Sequence, residues 1–393
     1  MRGGGEQRHG KGTREPFTFW FYVTLAVSLI TGFFYSGKFL SSNVVDGDGE
    51  NSSWFRSLPP ALRDHYSDGV FVKAHFSSSS LLPTQVFTVD RGDKSEEPVL
   101  LIHGLGSSSF SFRRILANLQ SNGFRAVALD LPGSGFSDLI DRDNGGVWKV
   151  WRSVKEKGIF WGFDSLISMG YIPYDEDAKS SVSGDELGVK VIEEVIDSLE
   201  LETPIHFVAH DSAMQVVASY VSSASSGSVG SVTFIDSSSR APAFPYWMFS
   251  APIVRDIAVG SKWVFGSLIN LCCSREIDSS AVEAYRAILK KKGARQAAAV
   301  AGKSFNHSFD FGDWTYSDEV KDVPLQILWS HMSSDLWIEE GKRVASSAPR
   351  AAFFSHLGGR WPQEGASEEI AGRIVQFIKS LPKTHRKTKL DEN

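Results

Sequence analysis

Cysteine is nearly absent from this chain: two among 393 residues, adjacent at Cys272 and Cys273. Two cannot build a disulfide framework, and neighbours bridge each other only in a strained ring. Without C-x-x-C pairs there is no cysteine zinc site, and no metal or cofactor is expected. Positive charge is not in excess. Lys and Arg number 41 against 46 Asp and Glu, a net charge of −5, which argues against nucleic acid as a partner. No repeat of fixed period is visible. What is there, 42% hydrophobic and 22% charged residues, suits a globular chain rather than a disordered one.

Charge is missing altogether from Phe17 to Tyr35, the 19 residues FTFWFYVTLAVSLITGFFY. A bilayer core takes ~20 such residues as a helix, and aromatics crowd both ends, where amphipathic rings prefer the interface. The sequence therefore predicts one transmembrane helix at 17–36. A cleaved signal peptide is the alternative, but the run is longer than a signal core and no small-residue cleavage site follows. Arg2, Arg8, Lys11 and Arg14 precede the span; Lys38, Asp46, Asp48 and Glu50 follow it. The positive-inside rule then puts residues 1–16 in the cytosol and the body in the lumen. Residues 37–56 read as a Ser/Gly/Asp linker, and two glycosylation sequons, at Asn51 and Asn306, lie on the luminal side.

The body reads as an α/β sheet. Apolar runs at Val99–His103, Ala126–Asp130, Ile205–Ala209, Ser231–Ile235, Leu325–Trp329 and Ala352–Ser355 alternate with helix-like segments. That alternation predicts a mainly parallel sheet with helices on both faces. Val70–Phe76 and Gln85–Val89 suit an antiparallel opening hairpin, and Ile370–Phe377 a closing helix. Two excursions, 139–183 and 240–314, are too long for loops and are expected to cap one edge of the sheet. Aromatics in the first either line a pocket or pack on the sheet.

The chemistry-bearing segment is Phe207-Val-Ala-His-Asp-Ser-Ala213, between a strand and a helix. A nucleophile elbow needs small residues two before and two after its tip. With Asp211 at the tip these are Ala209 and Ala213; with Ser212 they are His210 and Met214, which do not fit. An ordinary strand-to-helix turn with Asp211 as N-cap is the alternative. Leu101-Ile-His-Gly-Leu-Gly106 and Asp130-Leu-Pro-Gly-Ser-Gly-Phe-Ser-Asp138 end the neighbouring strands. On these motifs, from about Pro98 to Leu381, the chain resembles the α/β-hydrolase family. The H-D-x-A elbow is similar to the epoxide hydrolase and haloalkane dehalogenase branch, which uses an aspartate nucleophile.

The resemblance implies the α/β-hydrolase fold over 57–381, Asp211 as nucleophile, and an oxyanion hole of the Leu105 and Ser212 backbone N–H groups. It also implies a histidine and an acid that activate water. In the matching stretch Gly359-Arg-Trp-Pro-Gln-Glu364, Arg360 stands where the histidine belongs, and a guanidinium cannot accept a proton at neutral pH. Arg360 could instead pair with Asp211. His356 is a substitute base or, more simply, a surface or packing histidine. Asp335 is the remnant acid or a helix N-cap, and His331 a looser candidate. Ser212 replaces the halide-binding tryptophan of the dehalogenases. Tyr246 and Tyr285 are the tyrosines that epoxide opening would ask for.

Over almost its whole length the chain also resembles a plant family of single-pass endoplasmic-reticulum accessory proteins with a hydrolase-like domain. SLPPALRDHYSDG from Ser57, HGLGSSSFSF from His103, EKGIFWGFD from Glu156, IDSSS from Ile235, NHSFD from Asn306 and RWPQE from Arg360 carry it. This resemblance implies a non-catalytic, chaperone-like role. The client would be the auxin influx carrier, which needs such a protein to reach its polar place at the plasma membrane, and hence for auxin response and root gravitropism. Partners would be that carrier and the lipid bilayer. The alternative is a membrane-anchored epoxide or ester hydrolase using Asp211. Residues 382–393 are read as a basic, solvated tail.

Overall fold

The computed structural model describes residues 24, 25, 28, 55–75, 83–139, 184–250, 252–274 and 277–386. Two compact units result, Met1–Ser57 and Leu58–Asn393. In the first, Thr24, Leu25 and Ser28 are helical; the rest of the predicted span, most of the linker and Asn51 lie outside the described residues. Among the described residues no helix is long and apolar enough to cross a membrane. The excursion predicted at 139–183 also lies outside them, save Leu139.

The second unit is built on an eight-stranded sheet in the order β1-β2-β4-β3-β5-β6-β7-β8. Its strands are β1 Gly69–Ala74, β2 Thr84–Arg91, β3 Glu97–Ile102, β4 Phe124–Leu129, β5 Ile205–His210, β6 Val229–Ile235, β7 Leu325–Ser330 and β8 Ala352–His356. The first two form the antiparallel hairpin, and β2 meets β4 antiparallel. From β4 onward every pairing is parallel. All residues of β3, β4, β5, β6 and β7 are buried, as expected of strands covered on both faces.

In chain order the helices are α1 Pro60–Ser67, α2 Arg113–Ser121, α3 Gly184–Ser198, α4 Ala213–Ser223, α5 Tyr246–Phe249, α6 Pro252–Gly260, α7 Lys262–Cys272, α8 Ser279–Lys290, α9 Ala294–Lys303, α10 Phe311–Tyr316, α11 Asp335–Ser347, α12 Pro362–Gly365 and α13 Ser367–Ser380. The closing helix α13 buries Ile370, Ile374 and Ile378, spaced four apart and so on one face; it packs against α2. Between β6 and β7 the chain runs through α5 to α10, the helical excursion predicted at 240–314. Ser261, Asp278 and Asp310 cap α7, α8 and α10 with side-chain oxygens, each satisfying N–H groups that the helix leaves unpaired. Cys272 and Cys273 are joined to each other by a disulfide.

Candidate active site

Parallel strands bring the carboxyl ends of β3, β5, β6, β7 and β8 to one edge, where open α/β sheets hold their ligands. Asp211 follows β5 with φ 53°, a left-handed conformation uncommon for a residue with a side chain. Its N–H donates to the Ile235 carbonyl at 3.0 Å, which ties the turn to β6. Gly104 is required beside it: a Cβ there would lie 2.7 Å from Asp211 Cβ.

The Asp211 side chain is fully buried. Its Oδ1 accepts the Ala243 N–H at 2.9 Å and lies 3.6 Å from Arg360 Nη2, while Oδ2 has no partner. Burial pushes the carboxyl upward, against the pull of Arg360, His210 and the Ala243 and Ser212 N–H groups. Arg360 is partly buried, and burial lowers its pKa against the nearby Asp211 and Asp236 charges. Its guanidinium stacks 3.6 Å over the Trp337 ring and donates to the Ala241 carbonyl at 2.9 Å. His210 holds the Arg360 carbonyl at 2.9 Å, and Trp361 N–H is held by Cys273 O at 2.9 Å. Thus the peptide unit that follows Arg360 is held at both its carbonyl and its N–H.

Several sequence candidates stand elsewhere. The oxyanion pair is not formed: the Leu105 N–H donates to the Ser212 hydroxyl at 2.8 Å, and the Ser212 N–H favours the Asp211 carboxylate. His356 is buried, not at the surface, and it is not aimed at Asp211. Its Nε2 pairs with Asp236 Oδ2 at 2.8 Å. Asp335 is exposed at the start of α11 because the bend after β7 carries it into solvent, so it is not the acid. His331 is exposed as well. Tyr285 is spent on Glu364, its hydroxyl 2.5 Å from Oε1; burial and then the Glu364 charge hold its phenol well above the usual range. Asn306 is exposed.

Asp236 is the group that sequence reasoning missed. It follows β6 with φ 43° and is fully buried. Its Oδ1 accepts from Ser330 N–H and Trp337 Nε1, each at 2.9 Å, and its Oδ2 meets His356. The signal was the repeated pattern of an apolar strand, then Asp, then Ser, at Asp211 and again at Asp236. The neighbouring motifs turn out to be structural. Asp130 accepts the N–H groups of Ser109 at 2.6 Å and Phe136 at 2.7 Å, closing the turn that the glycines allow. Glu364 takes Arg113 through both oxygens, at 2.6 and 2.8 Å.

A cavity of about 230 Å³ opens beside the elbow, lined by Leu105, Ser212, Gln215, Val216, Ala297 and Phe305 among others. Asp211 is not part of its wall. Ser212 lines it, and among the described residues no imidazole or carboxylate hydrogen-bonds to the Ser212 hydroxyl. His103, the nearest imidazole of the wall, spends Nδ1 on Gly104 O and Nε2 on the Leu131 N–H.

The comparisons with known proteins agree with this architecture. The family model described as "alpha/beta hydrolase fold" matches residues 97–265. A haloalkane dehalogenase of Psychrobacter cryohalolentis is 36% identical over 86 residues, 22% of this chain and 26% of that protein. The magnesium-chelatase 30 kDa subunit of Rhodobacter capsulatus is 35% identical over 65 residues, 16% of this chain and 22% of that protein. The chain thus spans about a quarter of the length of the curated relatives it matches. Among solved structures, a bromoperoxidase from Bacillus anthracis superposes with TM-score 0.54 at 16% identity, over 79% of this chain and 100% of that one. A thermophilic esterase from Thermogutta terrifontis gives TM-score 0.53 at 16% identity, over 81% and 99%. The chain has the α/β-hydrolase fold.

Proposed function

We propose that this is a membrane-anchored accessory protein that keeps the hydrolase scaffold without its turnover chemistry. One observation carries the reading: Arg360 Nη2 lies 3.6 Å from Asp211, at the place where an aspartyl ester would need a base to activate water. Asp211 is also absent from the cavity wall, and the Leu105 N–H already donates to the Ser212 hydroxyl. Scaffold reuse of this kind is common, because function lives in sites rather than folds.

The sequence resemblance gives the finer assignment. The chain is similar to the plant auxin-resistance-four protein, so the client is the auxin influx carrier on its way out of the endoplasmic reticulum. Residues 17–36 anchor it, residues 1–16 face the cytosol, and the body faces the lumen, with Asn51 and Asn306 available for glycosylation. A tether raises the effective concentration of two proteins sharing one membrane, so weak contacts suffice. The test is to image the tagged carrier in plants lacking this protein and to restore them with the wild type or Asp211→Asn. Both should return the carrier to the plasma membrane. Normal carrier placement in the null plants would defeat the assignment. The hydrolase alternative keeps one observation in its favour, the elbow conformation of Asp211, and is tested by turnover of esters and epoxides.

A further inference from the structure

Helices α5, α6 and α7 follow one another and pack in sequence. They leave large apolar side chains in solvent: Trp247, Val254, Ile257, Trp263 and Leu271. Trp263 is 79% exposed and Leu271 88%. Val254 and Ile257 are three apart, and Trp263 and Leu271 eight apart, so each pair lies toward one side of its helix. The other described tryptophans of the body from Trp314 on, at 314, 329, 337 and 361, are buried. Five large apolar side chains exposed on three consecutive packed helices are more than ordinary single scatter and mark an interaction surface.

The charge around it says what the surface meets. From Tyr246 to Lys303 the sequence carries nine Lys or Arg against four Asp or Glu, net +5 in a chain whose total is −5. The excess gathers at α6. Arg295 pairs with Asp256 at 2.6 Å, and Arg286 donates to the carbonyls of Val259 and Gly260 at 3.2 and 3.1 Å. Lys290 is close enough to Arg286 and Arg295 that, after burial, their charges lower its pKa. Lys262, exposed, stands beside Trp263. Glu283 and Asp256 are the acids facing this cluster, and they leave it positive.

We propose that α5–α7 dock on the surface of an anionic phospholipid bilayer, with the two tryptophans and their aliphatic neighbours in the headgroup boundary and the basic cluster on the lipid phosphates and carboxylates. Exposed tryptophan beside Lys and Arg on short amphipathic helices is the composition that binds in this plane. Docking would hold the cap against the membrane independently of residues 17–36, and the proposal rests on the cap residues alone.

The experiment uses the full chain in vesicles of phosphatidylcholine, alone or mixed with phosphatidylserine, with bromine-labelled acyl chains as the probe. Bromine quenches only tryptophan that reaches the lipid. The expected result is a quenched component in the wild type that falls in Trp247→Ser/Trp263→Ser to the constant part owed to Trp20 of segment 17–36, and that grows when phosphatidylserine is present. Lys262→Ala and Lys290→Ala should each lower the docked-to-undocked ratio about fivefold, the equivalent of one lost contact to an anionic surface. Circular dichroism checks that the variants stay folded. Equal quenching in the wild type and the double tryptophan variant overturns the proposal. So does quenching indifferent to phosphatidylserine and to both lysines. Light scattering that shows dimers broken by the tryptophan changes would assign the surface to a second copy instead.

Discussion

Removing Arg360 should expose what it does. At 3.6 Å, with an effective dielectric of about 20, its attraction to Asp211 is about 4 to 5 kcal/mol before the cost of taking both ions out of water. Asp211 is fully enclosed while the Arg360 side chain is 17% exposed, so it is the carboxylate that is stranded when its partner goes. Arg360→Met leaves the carboxylate buried opposite a thioether and removes the stacking on Trp337; the expected loss is ~3 kcal/mol. Asp211→Asn keeps an oxygen for the Ala243 N–H and costs ~1 kcal/mol. With both changes the unpaired charge is gone, and the loss should be ~1.5 kcal/mol rather than the sum, a coupling of ~2.5 kcal/mol. Urea unfolding of the full chain, followed by tryptophan fluorescence, gives all three values from one double-mutant cycle. Additivity within about 0.5 kcal/mol would refute the pairing and with it a structural role for Arg360.

Other expectations follow from the surroundings. Asp236→Ala strands the Ser330 N–H, the Trp337 indole N–H and His356, and should cost ~3 to 5 kcal/mol in the same assay. Glu364→Gln weakens the two-point contact with Arg113 and the Tyr285 bond, at ~2 to 4 kcal/mol, while Tyr285→Phe should cost only ~1 to 2 kcal/mol. Burial, then the charges of Arg113 and Arg91, depress His65 from 6.5 to about 3. The folded state therefore refuses a proton that the unfolded chain accepts. Stability from this group is complete above 6.5 and falls as pH drops toward 3, by at most ~1.4 kcal/mol per pH unit. Relative to the wild type, His65→Asn should flatten the stability-versus-pH curve between about pH 6.5 and 4.5 by ~1 kcal/mol per unit; identical slopes would contradict it.

Elements whose signal is local were legible before any coordinates. The mostly apolar runs of β3 to β7, the spacing of Ile370 and Ile374 in α13, and the small residues around Asp211 each declare themselves within a dozen residues. Pairings across the chain did not. His356 and Asp236 are 120 residues apart, and nothing near either one names the other. Family resemblance points to Asp335 because it follows β7, and does not point to Asp236. Physical placement depends on the bend at 331–333, which a motif does not encode. The partner of the Leu105 N–H was hidden for a related reason. A backbone N–H can be assigned to a turn from sequence, but its capture by the Ser212 hydroxyl is a matter of one rotamer.

The central claim is that Asp211 no longer acts as a nucleophile, and mass spectrometry tests it without presuming turnover. An accessible aspartate lacking a base would form an ester and keep it, because the hydrolytic half of the reaction is what a base supplies. The full chain is incubated with a panel of epoxides, haloalkanes and activated esters, and the peptide carrying Asp211 is weighed. The account predicts an unmodified peptide in every case, in the wild type as in Asp211→Asn. An adduct on Asp211, absent from the Asn variant, would contradict it.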